Sequence, residues 1–170
     1  MKRYAQIRTM DISNGEGIGI SLFVQGCHFH CKNCFNPETW DFNGGKEWND
    51  NIKRHFLDLV NNDHVYRISI LGGEPLCDEN KDTIICLCKE IKERYPNKKI
   101  WLYSGYTYET IRNDIQRNMI LMYIDVLVDG PYVDELQDFN LLFRGSSNQR
   151  LIDVPKSGKE IVLYVPYSAS

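Results

Sequence analysis

The sequence predicts an α/β fold with a parallel sheet that forms either part of a β/α barrel or a small open sheet, of about five to six strands. Three observations predict it. Apolar runs typical of strands alternate with stretches whose apolar residues recur at helical spacing. The predicted strands are followed by turns of small residues. A complete eight-fold barrel needs about 250 residues, and the chain has 170, so only part of a barrel can form.

The first half of the chain supplies two strand and two helix patterns. Residues 20–24 and 67–71 are short apolar runs rich in strand-forming side chains. Residues 49–61 and 78–95 carry apolar residues three and four positions apart, which is the spacing of one helix face. A proline at position 96 ends the second of these patterns. We therefore predict strand, helix, strand and helix in that order.

The second half continues the alternation. Residues 99–103 and 124–128 are predicted strands, and residues 107–117 between them are a predicted helix whose first residue is a cap-forming threonine. The tail offers two further strand-like segments, residues 150–154 and 160–165. Chain length favours one domain over residues 1–170.

The small-residue turns locate the expected site. In parallel β/α folds the working site lies at the carboxyl ends of the strands. The turns at those ends should therefore meet in space, and they are Gly26-Cys27, Gly72-Gly73-Glu74, Ser104-Gly105 and Asp129-Gly130.

Charge and hydropathy exclude several classes of partner. The chain carries 20 basic and 23 acidic residues, a balance that argues against general nucleic-acid binding, which favours a basic protein. The longest apolar run, residues 119–124, is far short of the roughly 20 residues of a membrane-spanning helix. Lys2 and Arg3 are not followed by the apolar segment of a secretory signal. We expect a cytoplasmic protein with neither a nucleic-acid nor a membrane partner.

A cysteine cluster dominates the chemistry of the chain. Cys27, Cys31 and Cys34 have the spacing C-x3-C-x2-C. Their thiolates suit two metal centres. A structural zinc site would need a fourth ligand, for which His28 or His30 is available, whereas a cubane iron–sulfur cluster held by three thiolates keeps one iron open. A third interpretation is that the three cysteines bind no metal. It is less favoured, because clustered exposed thiols oxidise readily.

The neighbouring histidines and the other cysteines have simpler interpretations. His28 and His30 alternate through the loop, so we expect packing or surface roles and assign neither as a ligand. Cys86 and Cys88 lie on different faces of a predicted helix and are interpreted as small core residues. Cys77 follows the glycine turn and is a possible fourth ligand, although we favour the open iron.

Two motifs together resemble the radical S-adenosylmethionine enzymes. The cysteine spacing after the first predicted strand is similar to the first signature of that superfamily, and Gly72-Gly73-Glu74-Pro75 after a later strand is similar to the second. More of the chain is similar to the activating components of anaerobic (class III) ribonucleotide reductases. These similar segments are residues 11–15, 22–27, 36–40, 126–130 and 144–149.

The resemblance implies a fold and a set of site residues. The fold would be the partial parallel β/α barrel of the radical S-adenosylmethionine type. Cys27, Cys31 and Cys34 would hold one [4Fe–4S] cluster, whose open iron binds the methionine group of S-adenosylmethionine. Contacts to that cofactor would come from Asn33, Cys34, Phe35 and Gly73, and less directly from Gly72, Glu74, Ser104 and Asp129. A side chain at position 73 would then fill the space that the methionine group needs.

Many superfamily members have an aromatic residue where this chain has Asn33, so the resemblance implies a backbone contact at this position rather than aromatic stacking on adenine. Asp129 has an alternative role as an ordinary aspartate of a strand-end turn. Gly15, Gly17 and Gly19 precede a strand, unlike a dinucleotide-binding fingerprint, and are interpreted as a flexible turn near the partner. The polar segment 144–149 is expected at the site or on the partner surface.

The implied activity is that of an oxidoreductase related to the formate-lyase-activating enzymes. It would generate a 5′-deoxyadenosyl radical and install a glycyl radical, under anaerobic conditions, on the large subunit of anaerobic ribonucleoside-triphosphate reductase. An electron donor such as flavodoxin would reduce the cluster. Two alternatives remain open at this point: a small radical S-adenosylmethionine enzyme that acts on a small molecule, and a non-catalytic, zinc-stabilised binding module.

Overall fold

The computed structural model describes residues 1–167, which form three α-helices and a mixed β-sheet. The strands of the sheet are, in chain order, β1 (Arg3–Asp11), β2 (Gly19–Val24), β3 (Lys46–Glu47), β4 (Arg67–Gly72), β5 (Lys99–Ser104), β6 (Val126–Asp129) and β7 (Arg150–Asp153). Their spatial order is β3-β1-β2-β4-β5-β6-β7.

The centre of the sheet is parallel and its edges are antiparallel. Strands β2, β4, β5 and β6 are sequential parallel neighbours, whereas β1, β3 and β7 pair antiparallel. The predicted α/β class and parallel centre are confirmed. The predicted five to six strands were wrong, since the sheet has seven. Strand β1 was missed because much of it is exposed near the sheet edge, so its apolar periodicity is weak.

Three helices follow strands of the sheet. They are α1 (Asp50–Val60), α2 (Lys81–Arg94) and α3 (Tyr108–Asn113). The side chain of Asn49 accepts a hydrogen bond from the Ile52 backbone N–H and caps α1. The Thr107 side chain caps α3 in the same way, which confirms that predicted cap. Short 3-10 helices cover Pro37–Thr39, Arg117–Met122 and Asp134–Leu136.

Two predicted elements differ from the structure. The predicted helix over residues 107–117 stops at Asn113, because the Asp114 carboxylate accepts hydrogen bonds from the backbone N–H groups of Gln116 and Arg117 and starts a new turn. The predicted strand over residues 160–165 was wrong. That segment makes one isolated bridge, between Leu163 and Ile152 beside β7.

Both faces of the sheet are covered. On one face, alternate strand residues such as Leu22, Ile70 and Leu102 pack with the apolar sides of α1, α2 and α3 in the main core. On the other face, Trp101, Val126, Val128 and Leu151 form a smaller cluster, against which Phe143 and Tyr164 pack from irregular segments. The helices thus share one face, and the opposite face is left for a site near the strand ends.

Within residues 1–167, none of the helices combines the length and apolar character that a bilayer-crossing segment needs.

Candidate functional site

A cavity of about 630 Å³ opens at the carboxyl ends of the parallel strands. Its lining includes Cys27 after β2, the turn Gly72-Gly73-Glu74 after β4, Ser104-Gly105 after β5 and Gly130 after β6. The predicted convergence of the strand-end turns is therefore confirmed. Its cause is topological, since parallel strands present their carboxyl ends at one edge of the sheet.

The cysteine loop turns sharply before each of its cysteines. Gly26, His30 and Asn33 all have positive φ angles, of 100°, 48° and 55°. A side chain at Gly26 would also overlap the Phe42 ring. Asparagine and histidine are among the residues that adopt left-handed backbone most readily. The sequence of the loop thus suits a chain that reverses direction at the residue before each thiol.

Aromatic contacts anchor the loop to the rest of the fold. Phe29 packs edge-on against Tyr106, with ring centroids 5.1 Å apart, and its ring fills the space where Gly105 lacks a side chain. His30 stacks on Trp40 at 4.6 Å. Nε2 of His28 lies 2.8 Å from a carboxylate oxygen of Glu79. Both histidines are thus engaged in packing or pairing, as the sequence analysis expected.

The thiols of Cys27, Cys31 and Cys34 line the same cavity and are partly buried. Burial raises the pKa of the Cys27 thiol, against the opposing effect of backbone hydrogen bonds from Phe29 and His30. Burial likewise raises the pKa of the Cys31 thiol. The Asn36 backbone N–H donates to Sγ of Cys34 at 3.4 Å. Such N–H groups around the sulfurs stabilise thiolates once irons replace the protons.

The three cysteines of the loop line one cavity, which is what a cubane cluster held by three thiolates requires. Among the described residues, no group of three His, Cys, Asp or Glu side chains is placed to hold one metal ion. A cubane cluster makes a different demand, because each thiolate binds its own iron and the sulfurs need not meet at one point. Three thiols on one loop that face a shared cavity fit that demand.

Glu74 ties the glycine turn to the end of β5. Its carboxylate accepts hydrogen bonds from Ser104 Oγ at 2.8 Å and from the backbone N–H groups of Gly105 at 2.7 Å and Leu76 at 2.9 Å. Burial raises the pKa of Glu74 to about 7, because the cost of desolvating the charge outweighs these donors. Glu74 and Ser104 therefore both line the cavity, and their side chains are hydrogen-bonded to each other.

The structure gives a packing reason for the glycine at position 73. A Cβ on Gly73 would lie 2.4 Å from the Gly26 carbonyl oxygen, well inside contact distance. The Glu74 backbone N–H also donates to that carbonyl, at 2.8 Å. The glycine therefore allows the turn after β4 to pack on the start of the cysteine loop. Gly73 also lines the cavity, and the expectation that a side chain here would fill cofactor space stays a prediction.

Other predicted cofactor contacts divide into two groups. Phe35 lines the cavity, is 58% exposed and packs on Tyr132 at 5.0 Å. Asn33 and Asp129 are not among the lining residues. The Asn33 amide donates to the Asp134 carboxylate at 2.8 Å. The Asp129 carboxylate accepts hydrogen bonds from the Tyr108 backbone N–H at 2.7 Å and from Arg150, which is the alternative role in a strand-end turn.

The remaining cysteines lie apart from the cavity lining. Cys77 is 1% exposed, and burial raises the pKa of its thiol to about 12. Cys88 is buried in the main core, whereas Cys86 is exposed on α2. The prediction of a core role holds for Cys88 and was wrong for Cys86, because the two residues lie on different faces of the helix.

Arg67 was not predicted as a site residue, although it anchors the segment that carries the lining residues Ser13 and Asn14. Arg67 is fully buried and donates to the carbonyl oxygens of Asp11 at 2.6 Å, Asn14 at 3.1 Å and Glu16 at 3.2 Å. The glycine-rich segment, interpreted as a flexible turn, is thus organised around a buried guanidinium. The arginine inside an apolar strand pattern was the available signal. Arg144, Gly145 and Gln149 line the cavity, as expected for segment 144–149.

Comparison with known proteins agrees with this geometry. Residues 13–152 match the model of the 4Fe-4S single cluster domain family. Proteins named anaerobic ribonucleoside-triphosphate reductase-activating protein are 35% identical in Haemophilus influenzae and 37% identical in Escherichia coli K12, each over 148 residues. These alignments cover 86% of this chain and 94% and 95% of the relatives. The protein of that name from Enterobacteria phage T4 is 36% identical, over 87% of this chain and 92% of its own length.

The chain belongs to the anaerobic ribonucleoside-triphosphate reductase-activating proteins. Its matched segment contains the whole cysteine loop, the glycine turn and the cavity-lining segment 144–149. The family model supports an iron–sulfur cluster, for which the three thiols of that loop are the ligands that the sequence predicts. The resemblance on which the sequence analysis relied is therefore confirmed at the level of the family.

Proposed function

We propose that this chain activates an anaerobic ribonucleoside-triphosphate reductase by installing a glycyl radical on its large subunit. The observation that carries the proposal is that three cysteines of one loop and the Gly72-Gly73 turn open into one cavity. Family membership supports the same activity. We place the reaction in the reducing cytoplasm, because the six cysteines of the chain are free.

Cys27, Cys31 and Cys34 would hold the [4Fe–4S] cluster, and the lining residues Phe35, Gly72, Gly73, Glu74 and Ser104 would border S-adenosylmethionine. When bound, the cluster would supply the electron for reductive cleavage of S-adenosylmethionine to methionine and a 5′-deoxyadenosyl radical, and that radical would take a hydrogen atom from the glycine to give 5′-deoxyadenosine. The electron would come from a donor such as flavodoxin. This activity belongs to the oxidoreductases, beside the formate-lyase-activating enzymes.

The chain's own residues position and shield these groups. Phe29, locked between Gly105 and Tyr106, holds the middle of the cysteine loop over the strand ends. The buried Glu74 carboxylate fixes the turn after β4 against the turn after β5. Apolar side chains of the sheet face, among them Leu71 and Val128, line the cavity wall and limit the access of water.

The fold supports the finer proposal of a partial barrel of the radical S-adenosylmethionine type. Four sequential parallel strands with their helices packed into one core are the arrangement of a β/α-barrel segment. Such a segment leaves an open side, through which a loop of a protein substrate can enter. A glycine suits this path, because its backbone carries no side chain to obstruct a narrow cleft.

The test is anaerobic reconstitution followed by two assays. We expect the reduced, cluster-loaded protein to convert S-adenosylmethionine to methionine and 5′-deoxyadenosine, and to produce a glycyl radical, detected by electron paramagnetic resonance, when the large reductase subunit is present. Cleavage of S-adenosylmethionine without a radical on the reductase would indicate that the substrate is a small molecule and not a protein. Tightly bound zinc in place of iron, with no cleavage of S-adenosylmethionine, would overturn the proposed enzymatic activity and favour a zinc-stabilised binding module.

A further inference from the structure

Both residues that flank Cys34 contact one distant segment of the chain, which follows β6. The Asn33 side-chain amide donates a hydrogen bond to a carboxylate oxygen of Asp134 at 2.8 Å. On the other side of the thiol, the Phe35 ring packs on the Tyr132 ring, with centroids 5.0 Å apart. The backbone that carries the third thiol of the cysteine loop is therefore held from both sides by residues about 100 positions away.

The Asp134 carboxylate joins these two contacts. Its second oxygen accepts a hydrogen bond from the Tyr132 hydroxyl at 3.2 Å, while the first accepts from Asn33. The Asp134 side chain is 23% exposed, so the pair is partly shielded from water. Hydrogen bonds to a carboxylate are stronger than those between neutral groups. One acidic side chain thus supports the cysteine loop and the aromatic ring beside it.

The segment that carries Asp134 has supports of its own. The Val133 backbone N–H donates to Oγ of Ser146 at 3.1 Å, and Ser146 is fully buried. The Asn148 side chain donates to the Pro131 carbonyl at 2.8 Å. Asp134 therefore projects from a hydrogen-bonded frame, and it can hold a neighbouring loop in place.

The two halves of the cysteine loop have different supports. The ring contacts of Phe29 and His30 hold the part before Cys31. The part after it turns at Asn33, whose φ of 55° is left-handed, directly before Cys34. Left-handed backbone is unfavourable for residues other than glycine unless the surroundings hold it. The hydrogen bond of the Asn33 side chain supplies such a hold for the second half.

A neighbouring ion pair contributes less. Nζ of Lys32 lies 3.5 Å from a Glu135 carboxylate oxygen and 3.8 Å from one of Asp134. The side chains of Lys32 and Glu135 are 72% and 70% exposed, and exposed ion pairs contribute little to stability. The contact between Asn33 and Asp134 is therefore the stronger link of this half of the loop to the fold.

We propose that Asp134 is a positioning residue for the third thiol: its carboxylate holds Asn33 and thereby sets where Cys34 meets an iron of the cluster. Asp134 is not among the cavity-lining residues, so it acts through Asn33. The inference rests on the proposed function, because it assumes a cluster held by the three cysteines of the loop.

The decisive variant is Asn33→Asp in the anaerobically loaded protein. It sets two carboxylates against each other, yet aspartate adopts left-handed backbone about as readily as asparagine, so the turn itself is kept. We expect the rate at which a chelator removes iron to rise about fivefold. The urea midpoint of the cluster-free protein should change little, since the contact lies near the surface.

A reciprocal exchange tests the pair directly. Adding Asp134→Asn to Asn33→Asp restores one amide and one carboxylate with their places exchanged, and the rate of iron loss should return to within about twofold of the wild type. Asp134→Ala removes the acceptor and should raise the rate as Asn33→Asp does. Glu135→Ala is the matched control, because it removes the neighbouring exposed acid and should leave the rate unchanged.

The outcomes separate this proposal from the proposed function. Unchanged iron loss in both Asn33→Asp and Asp134→Ala would overturn the positioning role. Faster loss in Asn33→Asp that the exchange does not reverse would also overturn it, because the effect would then come from the new charge beside Cys34. These measurements need neither S-adenosylmethionine nor the reductase. A wild-type protein that keeps its cluster but cleaves no S-adenosylmethionine would overturn the proposed function alone.

Discussion

The Glu74 carboxylate accepts the backbone N–H of Gly105 at 2.7 Å and so joins the turns that follow two neighbouring strands. Gly105 in turn leaves room for the Phe29 ring, 2.7 Å from the position of an added Cβ. A buried acid on the glycine turn is therefore linked through one backbone residue to the middle of the cysteine loop. This linkage makes the geometry of the loop sensitive to the side chain at position 74.

Glu74 should make stability fall as pH rises through the neutral range. Burial raises its pKa from 4.5 to about 7, so the folded protein holds a proton that the unfolded chain has released in this window. The free energy of unfolding should drop by roughly 2 kcal/mol between about pH 5.5 and about pH 8. Urea titrations across this range measure the slope. Glu74→Gln should remove it, and an equal slope in this variant would assign the effect to another group.

Loss of any cysteine of the loop should abolish stable cluster binding. Cys27→Ala, Cys31→Ala and Cys34→Ala each remove one of three thiolates, and two thiolates do not retain a cubane cluster. Iron analysis and the visible absorbance of the anaerobically loaded protein measure the effect. Cys86→Ala is the matched control, because this exposed residue on α2 lies outside the cavity lining. If Cys77→Ser lost the cluster as completely as Cys31→Ala, Cys77 would be a fourth protein ligand and no iron of the cluster would be open.

Gly73→Ala should destabilise the protein by about 1–3 kcal/mol and reduce the amount of cluster it retains. The added methyl group would press on the backbone carbonyl of Gly26, one residue before the first cysteine, and a backbone atom has little room to move. Urea midpoints and iron content are the measurements. Gly158→Ala is the control, since no atom lies within 4 Å of a Cβ at that position. Equal midpoints in the two variants would contradict the tight contact.

Arg67→Met should cost about 3 kcal/mol or more, because it strands buried carbonyl oxygens that the guanidinium now satisfies. The segment that follows β1 would lose its anchor, and Ser13 and Asn14 of that segment line the cavity. Thermal unfolding checks the stability. Arg54→Met on the exposed side of α1 should shift it by less than about 0.5 kcal/mol. If Arg67→Met lost no more stability than Arg54→Met, the conformation of the segment after β1 would not depend on the guanidinium.

The local sequence pattern was enough to predict the buried strands and the position of the site at their carboxyl ends. Residues 67–71 and 99–103 are rich in strand-forming apolar side chains because helices cover one face of the sheet and irregular segments cover the other, so both faces of these strands are largely buried. Strand β1 has an exposed side and a mixed composition, so its pattern does not separate it from a loop. Strand β3 is too short to show any periodicity.

The sequence by itself determined that three thiols lie together, because three cysteines within eight residues must share one loop wherever that loop lies. Tertiary structure alone decided which other side chains meet them. Arg67 reads as the first residue of a strand, and its guanidinium becomes an anchor only because the segment after β1 folds over it and presents its carbonyl oxygens. Asp129 and Asn33 read as site residues, yet Arg150 and Asp134, distant in the chain, take up their polar atoms. Such pairings depend on strand order and loop path, which local periodicity does not encode.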